Sequence, residues 1–294
     1  MVAKESNCLK ERLEDLYRTY HRSYLATDPL LLVHRYRRPE DQEVVGFLAS
    51  SLAYGRVEHM VKTLERIFAV MGPSPHAFAR RFIPSRHSRL FDPITYRFHT
   101  GRDIASLLYA IRQMLEGWGS IETFFLSRTE GGNGGMKGRI EGFSSGVLGL
   151  DDGPFGWRDG PSDSGFRFTF PLPSRGSACK RLNLFLRWMV RKNDGLDLGL
   201  WRSIDPSELI IPLDTHVSRV AHAIGLTDHR QPSWKAACDV TSSLASLNPS
   251  DPVKYDFSLC RLGILKECPS RRLASRCRAC LLDGICRFSS RQRK

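Results

Sequence analysis

Four cysteines near the C-terminus constrain this chain more than any other feature. Cys268, Cys277, Cys280 and Cys286 follow the spacing C-x8-C-x2-C-x5-C, four thiols within 19 residues. Thiols at that density can close around one metal centre. The same stretch carries Arg271, Arg272, Arg276, Arg278 and Arg287. A metal-pinned loop studded with arginine makes a rigid platform facing a polyanion. Cys8, Cys179, Cys238 and Cys260 are scattered singly. Four disulfides are therefore the weaker reading, and clustered cysteines in an intracellular chain read as metal ligands.

Charge points the same way. Lys and Arg number 44 against 31 Asp and Glu, a formal net charge of +13. That excess favours nucleic acid as a partner. No apolar run approaches the roughly 20 residues of a membrane span. Met1 to Asp15 is charged and holds no signal-peptide core. The expectation is a soluble cytoplasmic protein, associated with the nucleoid and not with a membrane.

Helical periodicity dominates. Leu9, Leu13, Leu16, Tyr17 and Tyr20 fit an opening amphipathic helix. Pro39 starts a second, with Val44, Val45, Leu48 and Leu52 on its apolar face. Val57 to Phe68 is a third, stopped near Gly72-Pro73, and Ile104 to Leu115 a fourth. Residues 131–165 hold 12 of the 24 glycines and read as a loop-rich connection, with one short packed helix around Ile140, Phe143, Val147 and Leu148. No P-loop and no G-x-G-x-x-G at a strand–helix junction is present, which argues against a nucleotide-binding fold.

Helices resume at Ser177. Ala178, Leu182, Phe185 and Met189 line one side, while Lys180, Asn183, Arg187 and Arg191 stack on the other. That second face is either a solvated charged face or a wall that meets phosphates. Asp214 stands at the entrance of a helix whose buried face is Val217, Val220, Ala221 and Ile224, ending at Gly225. Asp251-Pro252 starts the last core helix before the cysteine loop.

A lysine opening a cationic helix, an aspartate opening a buried one and a four-cysteine loop thus follow in order. Together they resemble the helix-hairpin-helix (HhH-GPD) DNA glycosylase superfamily, in particular its endonuclease III-like members with an iron–sulfur loop. The motifs cover roughly residues 170–288. More closely, Gly-Ser-Ala-Cys-Lys-Arg-Leu-Asn-Leu-Phe-Leu-Arg-Trp-Met-Val-Arg and Ile-Pro-Leu-Asp-Thr-His-Val are similar to an uncharacterised bacterial family of the DUF2400 type. The resemblance implies an all-α, two-lobed fold with a C-terminal metal-cluster loop. Residues 28–165 would form a helical barrel-type lobe, and 1–27 with 166–294 the lobe holding hairpin, site and cysteines, with a damaged base in the cleft between.

Asp214 matches the superfamily's aspartate in Leu-Asp-Thr-His-Val. A buried carboxylate there would stabilise the oxocarbenium-like sugar as the base leaves, and it could equally be a helix cap. Lys180 matches the lysine of bifunctional members, whose amine attacks C1′ and forms a Schiff base before strand cleavage. Arg181, Arg187 and Arg191 would depress its pKa. The hairpin Leu172-Pro173-Ser174-Arg175-Gly176-Ser177 keeps the Leu-Pro opening but has one glycine where the family has two. The interval from Lys180 to Asp214 is longer than in endonuclease III, with Asn193-Asp194-Gly195 and Trp201 in a turn or short hairpin. The cysteine loop resembles C-x6-C-x2-C-x5-C, two residues shorter in its first gap. That resemblance implies a [4Fe–4S] cluster, with structural zinc as the alternative.

DNA contacts are expected from Arg175, Gly176, Ser177, Arg181, Arg187, Arg191 and the loop residues Arg271, Arg272, Arg276 and Arg278. Tyr54-Gly55-Arg56 follows a helix where superfamily members probe the base stack, so Tyr54 or Arg56 could fill the space of an extruded base. Trp188, Trp201 and Trp234 read as core. The implied protein is a monomeric base-excision-repair glycosylase with AP lyase activity, acting on duplex DNA with a damaged, oxidised base or an abasic site. Two alternatives stand beside it: a monofunctional glycosylase using Asp214 alone, and a non-catalytic iron–sulfur nucleic-acid-binding protein.

Overall fold

Apolar residues recur three and four apart along the long segments, and the computed structural model forms helices there. It describes residues 2–128, 134–159, 164–192, 194–268 and 273–290. Those residues form helices joined by turns, and their one β-pairing is an isolated bridge between Tyr96 and His99. The protein is all-α. No described helix is long and apolar enough to cross a membrane.

The helices are α1 (Val2–Thr19), α2 (Leu30–Val33), α3 (Pro39–Ser51), α4 (Val57–Met71), α5 (Pro75–Arg80), α6 (Pro84–His87), α7 (Gly101–Trp118) and α8 (Ile121–Ser127). There follow α9 (Gly135–Leu148), α10 (Gly165–Thr169), α11 (Lys180–Val190), α12 (Thr215–Ala223), α13 (Trp234–Ala245), α14 (Asp256–Ile264), α15 (Ala274–Ala279) and α16 (Arg287–Ser290). The chain divides into a central unit, Ala26–Arg175 with Leu198–Arg202, and a terminal unit, Met1–Leu25 with Gly176–Asp197 and Ser203–Lys294.

In the central unit α7 runs against α5, α8 and α10. Its start is set by a capping box in which Thr100 and Asp103 satisfy each other's backbone amides. Phe47, Phe124, Phe143 and Phe170 are buried together. Glu43 is buried among them; it accepts from the Ile121 and Glu122 amides that open α8 and from Nε1 of Trp201. Burial pushes the Glu43 carboxyl up from its ordinary value, against these three donors. The glycine-rich stretch is less of a loop than its composition suggests, because α9 occupies 14 of its residues. A Cβ on Gly142 would lie 2.3 Å from the Arg128 carbonyl oxygen, so glycine there permits close packing.

The terminal unit is built on α12 against α14, with α1 also on α14. The last core helix starts at Asp256, not at Asp251-Pro252, because turns occupy the residues between. The closest approach is Gly263, where a Cβ would fall 2.5 Å from Cβ of His216. Helix α11 is buried on every side from Arg181 to Val190. Its two arginines enter an ion-pair lattice. Arg187 bonds Asp256 and, at 3.2 Å, Asp197; Arg191 bonds Asp197, Asp194 at 2.9 Å and Asp251 at 2.9 Å. Burial alone would pull the Arg191 guanidinium down, but Asp197 and Asp251 outweigh it and hold it charged.

Gly263→Ala should therefore force α12 and α14 apart. The expected loss is about 1–3 kcal/mol of stability, read as a lower urea midpoint at unchanged slope; an unchanged midpoint would contradict the close packing described.

Candidate functional site

Lys180 owes its position to one unusual backbone residue. Cys179 is in the left-handed region, φ 46° and ψ 37°, where a residue other than glycine is strained. This kink delays the helix to Lys180, three residues beyond the expected start at Ser177. Cys179 N–H bonds Ser177 Oγ at 3.2 Å, and Asn183 Nδ2 bonds the Ala178 carbonyl at 3.0 Å. Gly176 has φ +82°, and its carbonyl accepts from the Trp234 amide at 3.0 Å. The single hairpin glycine is thus a turn residue that also anchors α13. Gly176 is exposed and Ser177 half-buried, both in the terminal unit, while Arg175 is exposed at the end of the central one.

Asp214 caps α12. Its Oδ1 accepts from the amides of His216 and Val217, each at 2.8 Å, the bonding expected of a helix cap. Oδ2 is not used in the cap and lies 3.8 Å from Sγ of Cys260, whose thiol is the donor. Capping therefore holds the carboxylate in place while one oxygen faces a weak partner.

Two residues of α14, one turn apart, complete the cluster. Cys260 is raised to about 12, first by burial and then by the negative charge of Asp214, with Arg261 and Lys180 opposing. Asp256 accepts from Arg187 through Oδ2, and its Oδ1 is buried without a hydrogen-bond partner. Burial raises Asp256 to about 6; Asp214 pushes the same way, and Arg187 and Lys180 push back. Lys180, Asp214, Asp256 and Cys260 hence share one field, although they come from three separate segments. Cys260 reads in sequence as an ordinary small buried residue, and Asp256 gives no motif. The signal that finds them is their i, i+4 spacing on the helix packed against the Asp214 helix.

The arginines of α11 correct the sequence reading. Arg181, Arg187 and Arg191 are buried, at 8%, 2% and 2% exposure. Arg187 and Arg191 are paired with aspartates and do not present a phosphate-facing wall. Trp188, Trp201 and Trp234 are buried, as core residues should be. In the central unit Arg56 is exposed, and the half-buried Tyr54 donates to the Tyr96 carbonyl at 3.1 Å.

Cys268, Cys277, Cys280 and Cys286 line one cavity of about 210 Å³. Its apolar wall includes Val220, Ala223 and Leu262 from the α12–α14 pair, and Leu282. Backbone bonds set the thiols: Cys268 N to Leu262 O at 2.8 Å, Cys277 N to Leu273 O at 3.0 Å and Cys286 N to Leu282 O at 3.1 Å. Arg219 donates to the Cys268 carbonyl at 2.5 Å. Burial raises the thiol of Cys268 and that of Cys280, and the other cysteines add to it. Among the described residues no group of three or more His, Cys, Asp or Glu side chains is placed to hold a metal ion. Arg276 and Arg278 are exposed, with Arg276 bonded to the Lys266 carbonyl. Arg271 and Arg272 lie outside the described residues.

The fold and site define an all-helical protein with a capped aspartate, a lysine at a strained helix start and a four-thiol pocket. The chain belongs to the family described as protein of unknown function (DUF2400), whose model matches residues 28–265. Lys180, Asp214, Asp256 and Cys260 fall within the match, and the four loop cysteines follow it. No curated protein and no solved structure matches the chain.

The raised Asp256 carboxyl has a pH consequence. Its folded value, about 6, lies above the 3.8 of an open chain, so the folded state holds the proton more tightly. The stability this contributes is full below about pH 4 and is lost as the pH rises to about 6. Denaturant titrations should show wild type losing stability relative to Asp256→Asn across that window and running parallel above it. Parallel curves throughout would mean that Asp256 is not the buried acid described.

Proposed function

We propose that this protein is a base-excision-repair DNA glycosylase with AP lyase activity, of the helix-hairpin-helix type. Its substrate is a damaged base, of the oxidised class, or an abasic site in duplex DNA. The observation that carries the reading is that Lys180 and Asp214, each at a helix start, both act on the same pair, Asp256 and Cys260, with Asp214 Oδ2 3.8 Å from the Cys260 thiol, in a strongly basic chain.

The chemistry follows from these groups. The deprotonated Lys180 amine attacks C1′ of the nucleotide; the Nζ–C1′ bond forms as the C1′–N bond to the base breaks, and the base leaves with the bonding pair. Positive charge grows on the sugar, and the carboxylate of Asp214, held by its two cap bonds, stabilises it. Opening of the sugar ring gives an imine between C1′ and Nζ. Loss of a C2′ proton then expels the 3′ phosphate, and water releases Lys180. A residue whose cap bonds fix it beforehand pays no reorganisation cost as charge develops.

We take the four thiols that line one cavity as the ligands of a [4Fe–4S] cluster, with structural zinc as the alternative. Cys268, Cys277, Cys280 and Cys286 would be its ligands. Such a cluster would order the loop that carries the exposed Arg276 and Arg278; no chemical step passes through it.

Borohydride added during incubation with an abasic or 8-oxoguanine duplex should trap a covalent adduct. Lys180→Ala should abolish the adduct, and Asp214→Asn should slow single-turnover base release about 100-fold or more while DNA affinity is kept. Alkali-labile strands without an adduct would replace the lyase by a monofunctional glycosylase; no adduct and no base release from any duplex would leave a binding protein. Independently, protein purified without oxygen should be brown and carry iron and sulfide in equal amounts, and a colourless zinc protein would remove the cluster from the reading.

A further inference from the structure

The central unit carries an aromatic and cationic surface that the proposed chemistry does not use. Its centre is the turn Tyr96-Arg97-Phe98-His99. Tyr96 N bonds His99 O at 2.7 Å and His99 N bonds Tyr96 O at 2.8 Å, which leaves Arg97 and Phe98 at the tip. Arg97 has φ +51°, a conformation usually given to glycine, asparagine or aspartate at such a position. A strained arginine at a turn tip is a cost the fold bears for its placement.

Phe98 is 56% exposed and Phe168 40% exposed, and their rings meet at 5.2 Å. Tyr54 lies almost parallel to Phe98, 12° between planes at 6.0 Å, and edge-on to Phe168 at 5.4 Å. The platform is rigid from beneath. Tyr54 Oη is 2.7 Å from Nδ1 of the fully buried His99, whose Nε2 is 2.8 Å from Thr169 Oγ1. The Tyr96 hydroxyl donates to the Tyr54 carbonyl. Gly55, at φ +84°, allows the Arg97 side chain and Tyr96 hydroxyl to come within 3.0 Å of where a Cβ would stand.

Cations flank the rings. The Arg97 guanidinium is 5.8 Å from the ring centres of both Tyr54 and Phe98. Beside it an open hollow of about 480 Å³ is lined by Arg56, His59, Lys62 and Arg97 among others, with no carboxylate among its described lining residues. Two exposed rings on a fixed support offer a face to a flat apolar ligand, and the hollow offers charge to an anion a few ångströms away. A nucleotide has both parts in that order.

We propose that Tyr54, Phe98 and Phe168, with Arg97 and Lys62, form a stacking site for an unpaired nucleotide of single-stranded DNA, the base on the Phe98–Phe168 face and the phosphate in the basic hollow. Stacking tolerates any base because every base has a π-face. The proposal shares the nucleic-acid class of partner with the glycosylase reading but needs neither a lesion nor Lys180.

The test compares a fluorescent oligothymidylate with a strand of equal length in which every sugar is the reduced tetrahydrofuran abasic analogue, which cannot form a Schiff base. The full-length protein should bind the base-bearing strand about 5- to 150-fold more tightly. The double variant Phe98→Ala/Phe168→Ala should lose that preference while keeping its affinity for the base-free strand, and Phe98→Trp should retain it. Arg97→Ala and Lys62→Ala should weaken both strands alike and flatten the salt dependence. Equal binding of the two strands by wild type, or a preference that survives in the double alanine variant, overturns the site. Because the strand holds no lesion, that failure leaves the Lys180 adduct to be judged separately, and loss of the adduct leaves this site untouched.

Discussion

The terminal unit depends on the burial of two arginines. Arg187 and Arg191 carry full charge into a region where their side chains are 2% and 3% exposed. An unpaired charge there would be prohibitive, so each guanidinium is matched by carboxylates from beyond its own helix. The lattice joins α11 to α14 through Asp256, and to the 194–197 bends and Asp251. Apolar contacts alone would tolerate rotation of α11 by a fraction of a turn; guanidinium–carboxylate bonds at two successive turns do not, because their geometry is directional. Replacing such a lattice by apolar residues is often neutral or stabilising by about 1–4 kcal/mol in other proteins. Its contribution here is accordingly one of register, and the residue whose place it sets at the head of α11 is Lys180.

Much of this was legible in the sequence. The helical class, the cap at Asp214, the stop at Gly72 and the start at Pro39 follow from local rules that tertiary packing did not override. The error at Arg187 and Arg191 has a physical source. A polar stripe with helical spacing has the same period whether it meets water or a matching set of acids, and the acids here lie up to 69 residues away. Lys180's helix start was misplaced because a left-handed cysteine has no signature in composition. The glycine-rich stretch misled in the opposite direction, since Gly142 serves helix packing against Arg128 and not chain flexibility. Asp256 escaped notice because its importance comes from α11 and α12, not from its sequence neighbours.

The helix capped by Asp214 has a second role at its other end. Val220, Ala223 and Ile224 wall the thiol cavity, and Arg219 holds the Cys268 carbonyl. One short helix of nine residues thus carries the candidate catalytic carboxylate at its start and supports the cysteine loop along its last two turns. Its position against α14 is fixed by the close approach at Gly263, and α14 in turn presents Asp256 and Cys260. Ordering the loop around a cluster would brace the side of α12 that carries Val220 and Ala223. Under the glycosylase reading proposed above, the loop would matter without touching a substrate, by bracing the helix whose cap bonds hold Asp214, since a misplacement of about 1 Å can cost about 100-fold in rate.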